Sequence, residues 1–118
     1  MRRWLASGRP ATSRLSEVEV ASALMRRWRE RAFNREDRDR ALSALGRDLD
    51  ALSVVEIVAP IAARARALLE RHPLRAGDAI QLASCLHLRE ALGDKIAFAA
   101  FDDRLNQAAA AEGLKPPD

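Results

Sequence analysis

Apolar positions along this chain recur at helical spacing over long stretches, and short β-branched or mixed runs interrupt them. That order predicts an α/β fold with no internal repeat and no low-complexity segment. After Gly8-Arg9-Pro10, Ala11-Thr12-Ser13 reads as a brief strand, and apolar positions from Leu15 to Trp28 then follow a helical period. Asn34, with Asp37 three residues on, resembles an N-cap followed by a first-turn acid; it opens a charged helix over residues 35–51, in which Glu36 and Arg40 lie one turn apart. Leu52-Ser53-Val54-Val55-Glu56-Ile57 reads as a strand. Pro60 suits the first turn of a helix that runs to about Arg71 and is closed by His72-Pro73.

The segment 77–92 is apolar on nearly every side, with Ile80, Leu82, Ala83, Cys85, Leu86, Leu88 and Leu92 spread around the axis, so it belongs in the middle of the fold. Gly93-Asp94-Lys95 makes a turn, and Ile96-Ala97-Phe98-Ala99-Ala100-Phe101 reads as a buried parallel strand. Asp102 then begins an alanine-rich helix that stops near Gly113. The pattern also places the first residues inside a helix and another strand start at Leu114-Lys115-Pro116-Pro117-Asp118. Only three strands then accompany at least five helices, which leads to the expectation that part of the sheet is missing.

The 118 residues suit one domain, and 48% apolar with 31% charged residues describe a globular chain with a modest core. No run approaches the roughly 18 apolar residues of a membrane span, and the opening Met1-Arg2-Arg3-Trp4-Leu5-Ala6-Ser7 lacks the apolar stretch of a secretory signal, so a cytoplasmic location is expected. One cysteine, Cys85, excludes an internal disulfide. With only His72 and His87 beside it, any metal would be held by oxygen. The net charge of +3 is unevenly placed: residues 1–47 carry twelve Arg against six acids, and residues 48–118 carry eight Lys or Arg against eleven acids. One half can attract a polyanion while the other concentrates carboxylates.

Three acids stand among apolar neighbours, where a solvated charge is normally avoided: Glu19, Asp78 and Asp102. Each has an ordinary alternative. Glu19 could simply face water, as could Glu17, which points nearly opposite. Asp78 could be a helix-start acid favoured by the dipole, and Asp102 an N-cap after a strand. Brought together, the three would repel one another and so would take up protons or bind a cation. A hard divalent ion such as Mg²⁺ suits oxygen ligands and, near a phosphodiester, supports hydrolysis. Asp102 and Asp103 also fall beyond the carboxyl end of a strand, where open α/β sheets place their sites.

Three blocks carry a resemblance: Thr12-Ser13-Arg14-Leu15-Ser16-Glu17-Val18-Glu19-Val20-Ala21-Ser22-Ala23-Leu24, Leu74-Arg75-Ala76-Gly77-Asp78-Ala79-Ile80-Gln81-Leu82-Ala83-Ser84, and Phe101-Asp102-Asp103-Arg104-Leu105 followed by Ala109 and Gly113. In this order and spacing they resemble PIN-domain proteins, in particular the VapC-type toxins of toxin–antitoxin pairs. The middle block is the most specific of the three. The resemblance implies a PIN-like, Rossmann-like three-layer α/β domain with a short parallel sheet, and a metal-dependent endoribonuclease using Mg²⁺ or Mn²⁺. It assigns the metal-binding and catalytic carboxylates to Glu19, Asp78 and Asp102, with Asp103 a weaker neighbour and Ser13 supporting the metal waters. It also implies RNA as substrate, an antitoxin partner covering the site, and a homodimer. Arg14 and Arg104, beside the acids, are the arginines best placed to meet a phosphate.

Family members begin with a strand bearing an aspartate, and no acid precedes Glu17 here. The first strand and one of four ligands are therefore expected to be missing, through truncation, a misassigned start or degeneracy. Reduced metal affinity, exposed apolar surface against the Asp78 helix and lowered stability should follow. The alternative function is an inactive PIN-like module that binds antitoxin or RNA without cleaving. The run Arg26-Arg27-Trp28-Arg29-Glu30-Arg31 admits an RNA contact, but a solvated helix end with Trp28 in the core is favoured. Cys85, Phe98 and Phe101 read as packing residues, and neither histidine shows a partner pattern.

Overall fold

The computed structural model describes residues 4–6, 9–93, 96–98 and 103–116. The elements, in chain order, are β1 (Trp4–Ala6), β2 (Arg9–Ser13), α1 (Leu15–Arg29), α2 (Arg35–Asp50), β3 (Ser53–Val55), α3 (Ala59–Arg71), α4 (Ala76–Leu92), β4 (Ile96–Phe98) and α5 (Asp103–Ala111). Each helix lies close to its predicted span, and two of them show local start signals. Asn34 accepts a hydrogen bond from the Asp37 amide at 2.9 Å and opens α2. Pro60 sits in the first turn of α3, where its missing N–H would have had no helical partner.

The sheet runs β3-β2-β1-β4. β2 and β3 are parallel, with Ala11, Thr12 and Ser13 opposite Ser53, Val54 and Val55. Two parallel strands need a long crossover, which α1 and α2 supply. Pro10 is tolerated in β2 because the β3 register begins only at Ala11.

The N-terminal expectation is corrected here. Trp4–Ala6 is a strand rather than helix, and it lies between β2 and β4, antiparallel to both. The helix-forming preference of Leu and Ala is outweighed by two flanking ladders, as short strands commonly take their state from their neighbours. The described residues thus hold four strands instead of three. β4 is not a purely parallel strand: Leu5 faces Ala97 in an antiparallel ladder, while on its other side the Phe98 amide donates to the Lys115 carbonyl at 2.9 Å in a parallel bridge. The strand start expected near Leu114 is that bridge, and the extension of β4 through Phe101 lies outside the described residues.

The predicted burial of the 77–92 helix holds. Ala79, Leu82, Ala83, Cys85 and Leu86 of α4 are buried and pack with Ile61, Ala65 and Leu68 of α3, with Phe98 and Leu114, and with Leu105, Ala108 and Ala109 of α5. Covering a leucine in this way is worth roughly 1.5–3 kcal/mol. The expected apolar exposure along α4 is not observed over its centre; Leu92, at the C-terminal end, is the large apolar residue of α4 left exposed. Strands β2 and β4 and helix α3 between them close over the rest.

Candidate active site

The N-terminal turn of α4 is the focus of the acids. Arg75 is its N-cap, with no side-chain cap, and Asp78 lies in the first turn. The helix dipole favours an anion there. Although charged, Asp78 is only 9% exposed. It lines a cleft of about 230 Å³ together with Pro73, Leu74, Arg75 and Arg104. Two arginines and one carboxylate thus line the same concave site, a charge set that suits a phosphate carried beside a cation.

Glu19 reaches the same turn from α1. Its Oε1 accepts a hydrogen bond from Gln81 Nε2 at 2.9 Å, and its Oε2 lies where a Cβ on Gly77 would come within 3.0 Å. A Cβ at Gly77 would press on that oxygen, so the glycine leaves room for the carboxylate where it lies, and it immediately precedes Asp78. Glu17 instead faces Arg14, at 3.9 Å. Beneath Glu19 the polar contacts continue inward. Gln81 Nε2 also donates to Ser16 Oγ at 2.9 Å, and Ser16 Oγ and Thr12 Oγ1 share a 2.6 Å hydrogen bond, all three residues being buried. Gln81 Oε1 is buried with no hydrogen-bond partner among the described residues. Such an orphaned carbonyl costs about 1–3 kcal/mol.

The remaining expected residues are placed as follows. Ser13 is fully buried, and its Oγ accepts from the Leu15 amide at 3.1 Å, fixing the entry into α1. Arg14 is engaged by Glu56 through three hydrogen bonds, Nε to Oε1 at 2.9 Å and to Oε2 at 3.3 Å, and Nη2 to Oε2 at 2.7 Å. That bonding holds the Glu56 carboxyl below its usual range. Asp103 begins α5 and is exposed. Asp102 lies outside the described residues.

Trp28 is half-buried, and the Arg38 guanidinium lies 4.6 Å from its ring centroid, so one face is already covered by α2. Cys85 is fully buried as expected, and burial pushes its thiol up to about 12.

Three features were missed in the sequence. Arg75 was read only as part of a motif; its position three residues before Asp78, at the start of the helix, was the available signal. Gln81 was passed over within the apolar helix, where a lone amide on a buried face was itself informative. His72 does have a partner: its Nε2 donates to Glu112 Oε2 at 2.8 Å, a pairing across forty residues that no local pattern signals.

The donor chemistry fits a hard divalent ion. Glu19 and Asp78 offer carboxylate oxygens at one helix turn, and Mg²⁺ commonly takes one or two carboxylates and keeps several waters. Among the described residues no group of three acids, histidines or cysteines gathers closely enough to cage an ion alone. An ion here would complete its shell with water, with phosphate oxygens, or with a residue beyond those described.

No described helix is long and apolar enough to cross a membrane. Comparison with curated proteins and with solved structures finds no match. The family model of the PIN domain matches residues 1–111. PIN domains are nuclease-type domains that generally use divalent metal ions. The mixed α/β architecture agrees with that match, and the chain belongs to the PIN domain family.

Proposed function

We propose that this chain is a VapC-type endoribonuclease of a toxin–antitoxin pair, hydrolysing RNA phosphodiesters with Mg²⁺ or Mn²⁺ held by Glu19, Asp78 and Asp102, with Asp103 alongside. The observation that carries the reading is the cleft that Asp78, nearly buried, lines together with Arg75 and Arg104, with the Glu19 carboxylate against the neighbouring Gly77. When bound, the ion would supply a water of lowered pKa and neutralise charge developing on the phosphate. The chain's own groups do the rest. Glu19 and Asp78 provide the anionic pole, the two arginines attract and orient the substrate phosphate, and Pro73 and Leu74 form the wall that narrows the cleft. The antitoxin partner, the homodimer and the cytoplasmic setting rest on the resemblance of the three sequence blocks.

The residues ahead of Glu17 contribute no acid, so the ligand set drawn from this chain is three carboxylates. That observation favours, as a second reading, a module that binds RNA or antitoxin without turnover. Purified protein should degrade single-stranded RNA in Mg²⁺ or Mn²⁺, and Asp78→Asn should abolish the activity. Cleavage that survives both EDTA and the substitution rules out the mechanism, and RNA binding without cleavage in either metal selects the second reading.

A further inference from the structure

Gln81 is a buried amide on an otherwise apolar helix, and neither its sequence neighbourhood nor the carboxylate chemistry requires it. Its two amide hydrogens are both used, one on Ser16 Oγ and one on Glu19 Oε1, each at 2.9 Å. Its carbonyl oxygen is buried and has no partner among the described residues. Turning the amide over would set that oxygen against a Glu19 oxygen and lose the hydrogen bond, so the two contacts select the orientation in which the –NH₂ points toward Glu19 and Ser16. The side chain thus keeps an unsatisfied carbonyl in order to keep hold of a carboxylate.

One turn earlier on the same face, Gly77 leaves open the space into which Glu19 Oε2 projects. Glu19 by itself is a flexible, exposed side chain on α1 with several rotamers to choose from. Held at one oxygen by Gln81 and admitted at the other by Gly77, it is confined over the first turn of α4, the turn that also carries Asp78. From below, Ser16 and Thr12 restrain the amide in turn. We propose that Gln81 is a positioning residue that fixes the Glu19 carboxylate next to Asp78 for divalent-cation binding, with Gly77 as the clearance that makes the approach possible. This rests on the reading of Glu19 and Asp78 as cation ligands.

Groups that orient a metal-binding side chain typically change affinity by about 10- to 100-fold when removed. The test is the affinity of the full chain for Mn²⁺ alone, followed by electron paramagnetic resonance of the free ion. Gln81→Leu should weaken binding by about tenfold or more, with the metal-free unfolding temperature little changed because the orphaned carbonyl leaves together with the two donors. Gly77→Ala, which leaves Gln81 in place, should weaken binding in the same direction.

In a Glu19→Ala background, Gln81→Leu should have no further effect, since the group it acts through is gone. Equal Mn²⁺ affinity in wild type and Gln81→Leu, or an equal loss with and without Glu19, overturns the positioning role alone. A wild-type chain that takes up no Mn²⁺ at millimolar concentration overturns it together with the reading of the site.

Discussion

Arg75 and Arg14 both lie near the carboxylates, yet the structure gives them different freedom to meet a phosphate. Arg75 lines the Asp78 cleft and has no ion pair among the described residues, whereas Arg14 has its guanidinium committed to Glu56 through three hydrogen bonds. For a single-stranded nucleic acid, each phosphate contact contributes about 0.7 to the slope of log affinity against log salt. Arg75→Ala should therefore flatten the slope by about 0.7. Between about 50 and 200 mM salt, a fourfold range, that corresponds to a change in the wild-type-to-variant affinity ratio of roughly 2.6-fold. Arg14→Ala should leave the slope unchanged. Fluorescence anisotropy of a labelled single-stranded RNA, with EDTA present to stop cleavage, reads both. The reasoning is refuted if Arg14→Ala flattens the slope as much as Arg75→Ala, or if Arg75→Ala leaves it untouched.

Two further outcomes follow from the structure. Glu112 ties the end of α5 to His72 and Arg71, and the His72 hydrogen bond holds its carboxyl below the ordinary 4.5. A depressed folded-state value means that the stabilisation is complete above the unfolded-state pKa and is lost as the pH falls through the folded one. Glu112→Gln should thus cost about 1–2 kcal/mol at neutral pH, with the gap to wild type narrowing below 4.5 in urea titrations; a gap that widens on acidification contradicts this account. Cys85, fully buried and with its thiol raised to about 12, should resist a thiol reagent in the native protein and react only on unfolding. Rapid modification of folded protein would show that the core around α4 opens readily.

Much of the helical framework was legible because its causes are local. The Asn34 cap acts over three residues, Pro60 fixes its own backbone angle, and the apolar span of α4 announces a buried helix whatever surrounds it. Strand structure was less legible. Three residues such as Trp4–Ala6 are too short to show a period, and the direction in which they pair is not encoded in their composition but set by the two strands they join.

The site divides along the same physical boundary. The residue types and order of the three blocks were sufficient to single out Glu19 and Asp78, because charged groups among apolar neighbours stand out in one dimension. That Glu19 comes to lie over the first turn of α4 was decided by tertiary packing. Gln81 reaches Glu19 across 62 positions, and Gly77 matters only because α1 happens to pass over it. Arg14 shows the converse: adjacency in the chain suggested a phosphate contact, while its pairing with Glu56, 42 residues away and brought alongside by the β2–β3 pairing, had no local signal. Periodicity and capping are short-range forces written into neighbouring residues, while contacts between distant side chains exist only once the core has chosen how its elements pack.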